Sequence, residues 1–199
     1  MMRPLWLGTL RQWHWISSAL CLAGMLLFAI TGITLNHAGQ IEARPQVSQQ
    51  FAELPTALHA QLRQQPPSQG LPLALRQWLE QTLAIRLDGR AAEWSDNELY
   101  IALPRPGGDA WLSLDLDSGT LEYERTDRGW VAYFNDLHKG RHTGSLWSAF
   151  IDLFAGLCVL FSLSGLLLLQ RHAGNRPLTW PLTALGLLLP LLLALLFIH

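Results

Sequence analysis

Asn135 to His172 reads NDLHKGRHTGSLWSAFIDLFAGLCVLFSLSGLLLLQRH. Histidines stand at both ends, with His138 and His142 before an apolar run and His172 after it. From Leu146 to Leu169 the single charge is Asp152. Such a run can cross a bilayer as a helix, which takes about 20 apolar residues. An earlier stretch repeats the design: Trp13-His14-Trp15 opens it, Asn36-His37 closes it, and mostly apolar residues lie between. As antiparallel neighbours, the two crossings place imidazoles opposite one another at two depths. A third run, Leu178 to Ile198, is leucine-rich with Pro181 and Pro190 as bend points, and reads as a peripheral span facing lipid.

Composition agrees with this reading. Half of the 199 residues are hydrophobic and 15% are charged, against roughly 25% charged in an ordinary soluble domain. Every acid lies between Glu42 and Asp152. The pattern is that of a membrane protein with one polar segment inserted between its spans. A net charge of −1 and the lack of a basic run give no reason to expect a nucleic-acid partner. Cys21 and Cys158 lie inside apolar runs, at different depths when counted from the run ends, which argues against a disulfide. No Cys-x-x-Cys-His occurs, so covalent c-type haem is excluded. Phosphate-loop and zinc spacings are missing too, which disfavours nucleotide and hydrolase chemistry.

The expected fold is an α-helical bundle of three transmembrane helices with a small α+β insert. Residues 1–37 form a cytoplasmic N-terminus and the first crossing, whose apolar run exceeds the roughly 7–15 residues of a signal peptide. Ser17, Gly24 and Thr31 recur every seven residues and give this helix a small-residue face for close packing. Arg3, Arg11, Arg171 and Arg176 flank the spans on one side without acids, the mark of the cytoplasmic face. Residues 38–143 then lie in the periplasm of a bacterial inner-membrane protein, 144–170 form the second crossing, 171–177 a cytoplasmic loop and 178–199 the third crossing. Within the insert, Ala43 to Gly70 shows no firm periodicity and Leu71 to Ile85 has helical spacing. Glu98 to Leu103 and Ala110 to Leu116 alternate as strands, Asp117-Ser-Gly119 is a turn, and Leu121 to Arg125 completes a hairpin. Trp78, Trp94, Tyr100, Trp111 and Tyr123 are the expected small core. Arg128 to His138 carries aromatics on one face and suits a short helix in the headgroup layer. A straight helix from His138 to His172 would far exceed a bilayer, so the chain must bend, and Gly140 and Gly144 are the places for it.

Four stretches resemble the hallmarks of the PepSY-associated transmembrane proteins: Trp13-His14-Trp15, Thr31-Gly-Ile-Thr-Leu-Asn-His37, Leu137-His138-Lys-Gly-Arg-His142-Thr-Gly144 and Ser162-Leu-Ser-Gly165-Leu. The helix-then-hairpin insert is similar to a PepSY domain. Larger members of that group include inner-membrane reductases with two b-type haems that pass electrons to periplasmic ferric siderophores. The present chain is shorter, with one insert and three spans, so it works alone, as a homodimer, or beside a larger reductase subunit. The resemblance implies one or two haem b groups, with His14, His37, His138 and His172 as iron ligands and His142 as the substitute for His138. His14 and His172 fall at the cytoplasmic edge, and His37 meets His138 or His142 at the periplasmic edge. Arg141, Arg171 and Lys139 are the expected partners of haem propionates.

A plainer reading stands beside this one. Histidine, tryptophan and arginine at span ends are ordinary interfacial anchors. On that reading the chain is a non-catalytic scaffold or accessory subunit that binds a periplasmic partner through its insert. His59 and His199 are incidental on either reading. Asp152, a carboxylate inside a crossing, either orients a ligand histidine or reaches for the interface.

Overall fold

The computed structural model describes residues 8–64, 70–87 and 89–198. In chain order the elements are α1 (Leu10–Asn36), β1 (Gln46–Glu53), α2 (Thr56–Gln64), α3 (Leu73–Leu83), β2 (Glu93–Trp94), β3 (Glu98–Ala102), β4 (Gly108–Asp115), β5 (Thr120–Asp127), α4 (Gly129–Lys139), α5 (Ser145–His172) and α6 (Thr179–Phe197). The chain divides into two compact units, residues 1–28 with 149–199, and residues 29–148.

The first unit is inside-out by the standards of a soluble protein. α1, α5 and α6 are each long and apolar enough to cross a membrane. Their buried side chains are few and mostly small and polar: Ser17 and Cys21 on α1 and Ser164 on α5, with Phe154 of α5 the one large exception. Leu22, Leu26, Leu163 and Leu167 are exposed, and α6 buries no residue at all. That distribution suits lipid, where backbone groups must be satisfied within the helix and apolar side chains face outward.

A seam at heptad spacing joins α1 to α5. His14 meets Ser164, Gly24 meets Phe154, and Phe28 stacks on Phe154 with ring centroids 5.2 Å apart. The same antiparallel register brings the Cys21 thiol within hydrogen-bonding reach of Cys158, and both thiols are free. The expectation of unequal depths is therefore corrected. Counting from run ends assumed flush helices, whereas side-chain packing sets the register. At Gly24 a Cβ would run into the Phe154 ring, which is itself stacked on Phe150. Gly24→Leu is expected to cost about 1–3 kcal/mol by overpacking and to pry the two helices apart. Thermal unfolding in detergent, against a Leu22→Ala control on an exposed position, checks it.

The second unit contains a five-stranded antiparallel sheet of order β1-β5-β4-β3-β2. Its core lies on one face, where Leu99, Ile101, Leu112, Leu114 and Leu121 meet Leu62 of α2 and Leu75 and Leu79 of α3. Each fully buried leucine or isoleucine contributes roughly 1.5–3 kcal/mol relative to exposure. β4 shows the period of two that a one-faced sheet imposes, with Ala110, Leu112 and Leu114 buried and Asp109 and Asp115 exposed.

Residues 43–70 depart from expectation, because they hold β1 and α2 before the expected helix. β1 is an edge strand, exposed along nearly its whole length, so no alternation marks it. α2 turns only Leu58 and Leu62 to the core. The aromatic set is also corrected. Trp78, Trp94 and Tyr123 border the core, but Tyr100 and Trp111 stack on each other and fall outside it. Trp111 Nε1 donates to Glu124 at 3.1 Å, a polar handle for a half-exposed ring. His59 is a working part of this unit, since its Nε2–H donates to the Leu116 carbonyl at 2.7 Å and its ring lies over Gly119.

The Asp115 side chain caps the β4–β5 turn by accepting the backbone N–H of Ser118 and of Asp117, each at 2.8 Å. Those bonds hold its carboxyl below the usual range, Ser118 contributing most. A depressed folded pKa means stabilisation that is present above the unfolded value of about 3.9 and lost as pH falls through the folded one. Asp115→Asn should therefore weaken the insert at pH 7, and the gap to the wild type should close in acid. Tryptophan emission followed through urea at both pH values reads this.

Candidate functional site

His14 sits on the second turn of α1, its ring held from three sides by α5. Nδ1 lies 3.0 Å from Ser164 Oγ, the ring stacks on Phe161 at 4.9 Å, and Gly165 leaves room for Cε1. A Cβ at Gly165 would stand 3.2 Å from that carbon. Ser164 Oγ is 2.9 Å from the Phe161 carbonyl, to which its one proton is donated. His14 must then carry a hydrogen on Nδ1, which in the neutral ring leaves the lone pair on Nε2. That is the tautomer a metal ligand requires.

His172 reaches the same state by a different route. Its Nδ1 is 2.9 Å from the Leu168 carbonyl, which can only accept, so again a hydrogen is on Nδ1 and the neutral ring has its lone pair on Nε2. His14 and His172 line one cleft of about 510 Å³ with Gly165, Thr179, Arg11 and Arg176. That volume lies within the roughly 300–1,000 Å³ of small-molecule and cofactor sites. Arg171, the expected cation, is exposed and does not line it. Arg11 and Arg176 do, and the sequence had marked them only as topology signals. The position of Arg11 one turn before His14 was the available clue.

In the second unit the Leu137–Gly144 segment is fixed by backbone geometry and by buried polar groups. α4 ends on Gly140 at φ 65°, and His142 (φ 58°) and Gly144 (φ 82°) also adopt left-handed backbone, so the expected bend lies here. Asn135 and Asp136 are buried; Asn135 accepts from Thr34 at 2.7 Å and Asp136 from the Gly107 N–H at 2.8 Å. Trp147 Nε1 donates to the Leu137 carbonyl at 2.9 Å. His138 is held with Nδ1 2.6 Å from Thr31 Oγ1 and with its ring against Gly32.

The remaining expected residues are exposed, as His172 is. His37 is exposed, its Nδ1–H directed at the Ile33 carbonyl at 3.0 Å. His142 is exposed, and its Nε2 accepts from Arg141 Nε at 3.1 Å, so that nitrogen is already engaged. Arg141 and Lys139 are exposed as well. Asp152 lies exposed on α5, with no hydrogen bond to any histidine among the described residues. No group of three or more metal-ligating His, Cys, Asp or Glu side chains occurs among the described residues.

No curated protein and no solved structure matches the chain. A family model does, over nearly its whole length, and it joins the inside-out bundle and the α+β insert under one description. With residues 5–199 matched, the chain belongs to the PepSY_TM-like family of membrane proteins.

Proposed function

We propose that the protein binds haem b in the inner membrane and carries electrons outward, as a ferric-siderophore or iron reductase or as a subunit of one. The observation that carries this is the His14–His172 cleft, lined by two imidazoles from different helices whose Nδ1 atoms are both engaged by hydrogen bonds, which leaves Nε2 for a ligand. His14 and His172 would hold the iron, and Arg11 and Arg176 would pair with propionates. Ser164 fixes the tautomer and the plane of His14, the outer role that metal-bound histidines need. His37 and His138 are the proposed ligands of a second group on the periplasmic side, with Thr31 orienting His138. Haem, when bound, supplies the one-electron chemistry; the chain positions it and sets its surroundings.

The test is an absorption spectrum of detergent-purified protein made with ample haem, oxidised and then reduced with dithionite. A Soret band at one or two haems per chain, shifting on reduction, is expected. A colourless preparation sinks the reading.

The competing function is a membrane accessory subunit that meets a periplasmic partner through its insert. What favours it is that His37 and His172 each bond back to a carbonyl of their own helix, a geometry that an interfacial anchor also adopts. A haem-free protein that still assembles with a reductase would establish it.

A further inference from the structure

Arginines far apart in the sequence converge on the second unit. Arg44, Arg105 and Arg125 line a cleft of about 590 Å³ closed on one side by Trp130 and Tyr133 of α4. One carboxylate faces these three guanidiniums. It belongs to Asp127, which already accepts from Arg105 at 2.8 Å and from the Gly129 N–H at 2.8 Å. Among the described residues no acid stands within ion-pair distance of Arg44 or Arg125. Three cations against one anion leave the cleft with an excess of two positive charges. Such an excess persists in a fold only where solvent or a ligand supplies the counter-charge.

Gly129 and Trp130, on the first turn of α4, line the cleft as well, with the Gly129 N–H already taken by Asp127. Guanidinium forks match the oxygens of a phosphate. Alongside lies a second, mostly apolar cleft of about 490 Å³ that shares Arg44, Gly129 and Trp130, with walls from Ile41 and Val131 and polar edges from Glu42, Arg128 and Asn135. Trp130, 76% exposed, stands at the border of the two.

We propose that the Arg44–Arg105–Arg125 cleft is a phosphate-binding site of the insert. Two sources carry that chemistry, a phospholipid headgroup and a soluble phosphate. The apolar cleft beside it has the character an acyl chain needs, so the lipid is the favoured source. The site is independent of the haem ligands and stands or falls apart from them.

The experiment uses the full chain in phosphatidylcholine nanodiscs. Tryptophan emission is followed as inorganic phosphate is added, and as phosphatidylglycerol replaces part of the phosphatidylcholine, with Trp130→Phe as the control that assigns the change to Trp130 among the nine tryptophans. Arg44→Gln and Arg125→Gln should each weaken binding about tenfold, the loss expected for a charge-assisted hydrogen bond. Arg125→Lys should recover only part of it, because an ammonium lacks the fork. Saturation by both probes, lost in the variants, supports the site with lipid as a source. A response to inorganic phosphate alone supports the site and assigns it to a soluble ligand. A response to phosphatidylglycerol alone supports it and assigns it to lipid. Equal responses in the wild type and both Gln variants, or no response to either probe, overturn the proposal. Arg44 lies on an exposed segment outside the sheet, so Arg44→Gln keeps the test decisive even if Arg125→Gln fails to fold.

Discussion

On the haem reading, His14→Ala is expected to lose the group bound in the α1–α5 cleft entirely, and His172→Ala to lose the same one. Both imidazoles border a single cleft and each would offer one nitrogen to iron, so removing either leaves a single ligand. Residues acting as a unit are not additive, so the double variant should look like either single one. Ser164→Ala separates ligation from orientation. It keeps both imidazoles but removes the acceptor of the His14 Nδ1–H, which should weaken haem binding about 10–100-fold. Haem per chain, from the reduced spectrum and bound iron, is the measurement. Full haem in both His14→Ala and His172→Ala would remove this pair from the site. A haem lost only with His37→Ala or His138→Ala would move the centre to the other side of the membrane.

The second large effect is structural. Gly108→Val should unfold the insert. A Cβ at Gly108 would collide with the carbonyl oxygen of Thr126, which is backbone of the neighbouring strand and cannot swing aside. The adjoining Gly107 takes φ 73° and lies against the Tyr133 backbone of α4, with its N–H donated to buried Asp136. This glycine pair is where α4, and with it His138, is fixed to the sheet. Overpacking of this kind costs about 3 kcal/mol when the neighbour cannot give. Typical domains have only about 5–15 kcal/mol in total. Near-ultraviolet dichroism and limited proteolysis of the insert would report the loss. An unchanged protease pattern in Gly108→Val would mean that the strands accommodate the side chain and that the glycine is dispensable.

The two readings of function differ in what these variants do together. If the chain carries electrons, His14→Ala abolishes reduction of a periplasmic acceptor while the insert stays folded. If it is an accessory subunit, Gly108→Val disrupts assembly with the partner and His14→Ala changes little. The phosphate-site variants should alter neither outcome, since Arg44 and Arg125 line a different cleft from His14 and His172.

Length and apolarity were enough to give the three crossings, because a bilayer demands about 20 apolar residues whatever they pack against. Local chemistry was enough for the bends at Gly140 and Gly144, for the turn before Gly119 and for strands β3 to β5. Each rests on glycine conformation or on a period of two. Other features came only from tertiary contacts. β1 shows no alternation because both of its faces are exposed, and it is a strand only because β5 pairs with it. The levelling of Cys21 with Cys158, the choice of Arg11 and Arg176 over Arg171 as cleft cations, and the meeting of Arg44, Arg105 and Arg125 all depend on register between distant segments. Sequence by itself thus determined which segments enter lipid, since transfer into a bilayer is a property of each segment alone. Which side chains face one another was left to the packing of helix on helix and strand on strand, an energy that exists only once both partners are in place.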